Sequence, residues 1–300
     1  MENERKTDLS KTIRAELKAL SEPELARFSA GLLRKPGEET LTGSAARMLG
    51  VRLPVLRKMS RRMAREDWRG NLEALAQRNQ KGRCAQEPAA AGASAAEEAA
   101  AGELPFFEEI MLWGFLIGCA RVAEPKQKEE LCREMTAGSS GRKQKSIQEA
   151  ISLQEQFSLI RGFVPAIDNW SLCDSFCASL KFAGEYPAET WDFIQPFLQS
   201  EEEYSIRFGL VMIINYFITE EYVDRLYTIF DEIEHAGYYV KMAVAWAVSI
   251  CYVKFPDATQ LYLETNRLDD FTYNKALRKI VESRCVSDEV RARMRSMRRG

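Results

Sequence analysis

Apolar residues recur at helical spacing along most of the chain, and no stretch alternates polar and apolar with a period of two. A 300-residue chain so patterned has to bury helix against helix, either as a bundle or as a stack of helix pairs. The expected helices run from Leu9 to Leu20, from Ser21 (cap) and Pro23 (first turn) through Leu32, and from Val51 to Met63 with Leu53, Leu56 and Met59 on one stripe. Further helices follow over Phe106–Ala120, Lys126–Met135, Ile147–Arg161, Ala188–Leu198, Tyr204–Phe217, Glu221–Ile233, Tyr238–Lys254, Ala258–Leu263 and Tyr273–Ser283, ahead of a basic tail helix. Residues 82–102 differ in kind: Ala-rich and almost without large apolar side chains, they cannot offset their ordering entropy by burial and read as an insertion within one domain of residues 1–300.

The segment from Phe163 to Leu180 organises the chain. Pro165 is expected to keep the residues before it extended, and Asp168 or Asn169 to cap a helix running through Leu180. In that helix Trp170 and Asp174 are four residues apart on one face. An indole holds a flat or cationic group, and a carboxylate offers charge to a developing cation. A half-buried Trp beside a solvated Asp is the plainer reading of the pair. Spacing bears on the choice. Trp170, Arg207 and Trp246 lie 37 and 39 residues apart on three helices, the period of HEAT or armadillo helix pairs. The expected fold is therefore all-α, a superhelical solenoid of HEAT-like antiparallel helix pairs whose matching positions face one concave groove.

Composition removes several classes of function. No apolar run is long enough to span a membrane, and the charged N-terminus lacks the apolar core of a signal peptide, so a cytoplasmic protein is expected. Seven cysteines without a C-x-x-C pair read as reduced core thiols, with no metal site and no cofactor expected. His235 is the sole histidine, at an apparent helix end where a capping role is expected, so Ser-His-Asp chemistry has little to draw on. The net charge of −2 hides a basic run from Arg47 to Arg69 and another from Arg291 to Arg299. Either is a solvated face or a polyanion surface.

Arg207 sits in the most apolar helix of the C-terminal half, where a guanidinium needs a phosphate or carboxylate partner, Asp174 among the candidates. Trp246 is flanked by small residues, which admit either a neighbouring helix or a ligand.

With these residues in place, the chain resembles the AlkD-like DNA alkylation repair family, HEAT-like-repeat DNA glycosylases acting on cationic N3- and N7-alkylated purines. The resemblance runs from about Leu25 to the C-terminus. It rests on Gly50-Val-Arg-Leu-Pro-Val-Leu-Arg-Lys58, Asn169-Trp-Ser-Leu-Cys-Asp174, Tyr204-Ser-Ile-Arg207, Ala245-Trp246 and the stretch from Asn274 to Arg284. It implies that Asp174 is the catalytic carboxylate, that Trp170 and Trp246 flank the lesion's sugar and backbone, and that Arg207 holds a phosphate. The partner implied is duplex DNA carrying alkylated purines, gripped by a monomer that leaves the lesion in the duplex. Phe28 stands where the family has a hydroxylated aromatic in DNA contact, and Ser249 where an Arg would touch DNA.

Two other functions fit the same pattern. One is a non-catalytic HEAT-like binder of damaged or branched DNA; the other is a helical scaffold for proteins. Salt-sensitive DNA binding separates the last from the first two, because phosphate contacts weaken as salt rises.

Overall fold

The structure, a computed structural model, describes residues 2–84, 104–123 and 150–300. Among these residues the regular structure is helical, and the one β contact is an isolated bridge between Val122 and Ile151. The all-α expectation holds. The helix expected over Lys126–Met135 and most of the Ala-rich stretch at 82–102 lie outside the described residues. The described chain divides into two compact units, Met1–Phe182 and Ala183–Gly300.

In the first unit the helices are α1 (Glu2–Ala19), α2 (Pro23–Leu32), α3 (Leu53–Cys84), α4 (Phe107–Gly118), α5 (Leu153–Phe163) and α6 (Trp170–Cys177). Helix α4 is apolar on every side apart from two glutamates, and residues 107–117 are all buried. Helices α1, α3, α5 and α6 pack against it. Both glutamates are satisfied, as buried charges must be. The carboxylate of Glu109 accepts from Arg14 (2.6 and 3.0 Å) and from the Phe106 N–H, and it pairs with Arg78 at 3.1 Å. Glu108 accepts N–H groups from Leu49, Gly50 and Val51, the shortest at 2.7 Å.

Helix α6 sits close to α4 because of two glycines one turn apart. A Cβ on Gly114 would meet the Phe163 ring at 2.7 Å and the Phe176 ring at 3.1 Å, and a Cβ on Gly118 would collide with Ser179. The rings so admitted form a cluster: Phe163–Phe176 centroids are 4.2 Å apart and Trp113–Phe163 centroids 4.9 Å.

The second unit holds α7 (Pro187–Leu198), α8 (Glu203–Met212), α9 (Val223–Glu232), α10 (Tyr238–Lys254), α11 (Pro256–Thr265), α12 (Asp270–Glu282) and α13 (Asp288–Ser296). Helix α10 is its centre and packs on α8, α11 and α12. Its buried Ala243, Ala245 and Ala247 are the small residues that allow neighbours on several sides. Helix α8 runs on into a π-helical turn, Ile213–Phe217. Tyr227 and Tyr262 stack at 4.6 Å between α9 and α11.

Several boundaries differ from the sequence expectations. Glu22, not Ser21, occupies the N-cap of α2, without a side-chain cap, and Pro23 takes the first helical position. Helix α3 continues past Met63 because Asp67, at φ −156° and ψ 83°, breaks the ladder and restarts it. Its carboxylate accepts from Gly70 N at 2.9 Å, the bond that an N-cap Asp makes to the third residue of a new helix. Leu53 is exposed, while Leu56 and Met59 are buried as expected. Pro165 does not hold its predecessor extended. Val164 is helical, and residues 164–166 form a 3₁₀ turn closed by Ile167 N to Val164 O at 3.0 Å, in which proline's missing N–H costs nothing. Helix α6 ends at Cys177 rather than Leu180, with Ser179 and Leu180 in turns that bond back to Phe176 and Cys177.

Cys173, Cys177 and Cys251 are buried thiols outside any disulfide, and burial pushes the Cys251 thiol up to about 12. Cys119 is half-buried and Cys285 exposed, so not all the described thiols are core. His235 does not cap a helix. Its Nδ1 accepts from Gly237 N at 2.9 Å and its Nε2 lies 3.1 Å from the Glu201 carbonyl, so the ring pins the turn before α10.

Candidate nucleic-acid interface

Of the two candidate caps, Asn169 starts α6: its side chain accepts from Leu172 N at 3.0 Å. Asp168 serves elsewhere, accepting from the Ser44 N–H and hydroxyl at 2.5 and 2.6 Å, while Asn169 Nδ2 donates to the same hydroxyl at 3.0 Å. The turn that launches α6 is thereby tied to residues 43–47. From that start Leu172, Cys173, Phe176 and Cys177 point into the core, and Trp170, Ser171, Asp174 and Ser175 form the half-buried opposite face. The expected Trp170–Asp174 pairing on one face is present.

Trp170 Nε1 donates to the Leu32 carbonyl at 3.3 Å, which sets the indole against the C-terminus of α2. There it edges an open cavity of about 380 Å³ whose walls include Leu25, Leu32, Val51, Leu53 and Phe107, with Ser171 beside the indole. Phe28, one turn before Leu32, is 67% exposed, and Leu32 itself is 57% exposed. Two large apolar side chains one turn apart on α2 thus face solvent, and the indole bonds to the carbonyl of the second.

Glu108 also lines this cavity, and sequence reasoning missed it. Burial pushes its carboxyl above the usual range, while the N–H groups of residues 49–51 pull the other way. Gly50 is needed in that clamp. It has φ +83°, and a Cβ there would strike the Glu22 carbonyl and the Ala26 N–H of α2. The signal was available: two adjacent acids at the head of an otherwise apolar helix demand partners.

In the second unit Arg207 is 5% exposed. Its Nη1 donates to the Tyr239 carbonyl at 2.9 Å, and its guanidinium lies 5.9 Å from the Tyr239 ring centroid. Tyr239 N in turn donates to Glu203 at 2.7 Å. Both residues from α8 therefore hold the first turn of α10. Trp246 is half-buried two turns further along α10. The Ser249 hydroxyl donates to the Trp246 carbonyl at 2.7 Å, so its polar group is spent inside the helix.

In α6 an indole and a carboxylate thus share one helix face, with the indole beside an apolar cavity. Comparison with known proteins adds one finding. Residues 134–280 match the family model described as DNA alkylation repair enzyme, so over that span the chain is similar to that family. The span contains Trp170, Asp174, Arg207 and Trp246, whereas Phe28 and α3 precede it. Comparison with curated proteins and with solved structures returned no match.

Proposed function

We propose that the protein is a monofunctional DNA glycosylase that hydrolyses the N-glycosidic bond of cationic N3- and N7-alkylated purines in duplex DNA. The observation that carries this reading is the half-buried face of α6, where Trp170 and Asp174 lie one turn apart within the span matched to the repair family. In the proposed step the bond from the sugar C1′ to the purine breaks and its electron pair leaves with the base. The base departs neutral, because it was a cation before. The positive charge passes to the sugar, where the Asp174 carboxylate opposes it. Water adds to C1′ and releases its proton, leaving an abasic site. A leaving group that is already charged needs no general acid, so the chemistry is compatible with a chain whose single histidine is engaged in a turn.

In the same reading Trp170 and Trp246 flank the sugar and backbone of the lesion, Phe28 presents a ring to the duplex and Arg207 serves the phosphate side. For Arg207 the bond to the Tyr239 carbonyl supports a role through the first turn of α10. The HEAT-like superhelix of residues 1–300, its concave groove, the monomeric state and a cytoplasmic location belong to this proposal.

A second reading, a binder of damaged DNA without catalysis, draws on Ser249, whose hydroxyl is committed to the Trp246 carbonyl and offers a phosphate nothing. Incubating the full chain with a duplex holding one 7-methylguanine separates the two. Release of the free base with an abasic site left behind is the expected result. Tight binding with no base released supports the binder and removes the glycosylase.

A further inference from the structure

Helix α3 and the residue before it carry two sets of arginines with opposite circumstances. Arg52, Arg62 and Arg69 are each held by a carboxylate: Glu22 at 2.8 Å, Glu16 at 2.7 Å and Glu155 at 2.9 Å. Arg57, Arg61 and Arg65 form a row at successive helical turns, and among the described residues none of the three has an ion-pair partner. Arg57 lies over the Phe115 ring at 4.8 Å, and Arg61 Nε donates to the Arg57 carbonyl at 3.1 Å, so both side chains lie along the helix surface. Three like charges at four-residue spacing repel one another. A row left in that state while its neighbours are neutralised points to an anion from outside the chain.

The row is continuous with the candidate site. Leu53, one turn before Arg57, lines the cavity beside Trp170. At the far end Arg61 and Arg65 line a second cavity of about 320 Å³ together with Trp68, Cys119 and Arg121. Arg121 is brought there by the bridge that follows α4, in which Ile151 N donates to the Arg121 carbonyl at 2.9 Å and Ala123 N to the Ile151 carbonyl at 3.0 Å. The partner helix keeps step: Phe107 lines the first cavity, Phe115 lies under Arg57, and Cys119 lines the second. From Leu53 to Arg65 the helix rises about 18 Å, and the arginine row alone spans about 12 Å, the rise of three to four phosphates of one DNA strand. Asp67 then breaks the helix and ends the row.

We infer that Arg57, Arg61 and Arg65, with Arg121 at the far end, form a phosphate track that grips the duplex to one side of the position read by Trp170. The track deepens the DNA reading and rests on it, but it does not depend on base excision. It binds whatever the sequence or damage of the DNA, because it meets only backbone charge.

The test is the salt dependence of binding to an undamaged duplex, measured for the full chain. Wild type is compared with Arg61→Gln/Arg65→Gln and with the matched double variant Arg62→Gln/Arg69→Gln, which removes the same charge from the same helix. The first variant is expected to lower the slope of log K against log salt by about 1.8, the release of two counterion contacts, and the second to leave the slope unchanged. Equal slopes in all three proteins overturn the track, as does an equal fall in both variants or a wild-type affinity that ignores salt. Base release does not enter the measurement, so loss of the track and loss of the glycosylase reading are separate outcomes.

Discussion

Helices α6 and α8 each supply a residue that the sequence marks for DNA chemistry, and they use it differently. Helix α6 buries one side in the aromatic cluster and turns Trp170 and Asp174 outward, half-buried, with Trp170 at the rim of a cavity. Helix α8 is buried on nearly all sides from Ile206 onward, and its Arg207 bonds to a backbone carbonyl of α10. Chemical type and spacing are alike legible in both, but availability is set by packing. A site residue presented at the surface is replaceable at little cost to the fold, whereas one that holds a neighbouring helix is not.

The largest effect is expected at the clamp beneath the α6 cavity. Glu108→Ala leaves two buried N–H groups and one part-buried one without an acceptor and costs about 3 kcal/mol or more in denaturant unfolding. It also changes the pH dependence. Burial holds the Glu108 carboxyl above the ordinary carboxylate value of 4.5, so just above that pH the native state binds more protons than the unfolded chain. Stability from this group is therefore full below pH 4.5 and falls as pH rises through the raised value, and the variant removes that slope. An unchanged unfolding midpoint would show that residues 49–51 are held by something else.

Next in size is the contrast between the two helices themselves. Arg207→Met strips a buried donor from the Tyr239 carbonyl and is expected to cost about 2 kcal/mol, while Asp174→Asn stays within about 0.5 kcal/mol of wild type. Equal losses would erase the distinction drawn between α6 and α8. The smallest effect concerns the approach of α6 to α4. Gly114→Val drives side-chain atoms into the Phe163 and Phe176 rings and should cost about 1–2 kcal/mol after its helix-propensity change is counted. Gly162→Ala, with open space around its Cβ position, should be neutral or slightly stabilising.

Helix existence was legible because periodicity is a local property, and Tyr238–Lys254 matches its expected bounds. The one-face placement of Trp170 and Asp174 followed for the same reason. What the sequence hid were contacts made at long range. Ser44 occupies Asp168, so the cap falls to Asn169. Residues 49–51 answer Glu108, and the Tyr239 carbonyl takes one of the Arg207 bonds. The two sets of arginines within residues 52–69 look alike as sequence, since the carboxylates that neutralise one of them come from Glu16, Glu22 and Glu155.

The central claim is that the Asp174 carboxylate meets charge on the sugar as the base departs. Single-turnover release of 7-methylguanine from duplex DNA, with enzyme in excess over its Kd, tests it in wild type and Asp174→Asn of equal measured stability. The account predicts a fall on the order of 10²-fold in the release rate with DNA affinity retained. Release at the wild-type rate from Asp174→Asn would contradict it.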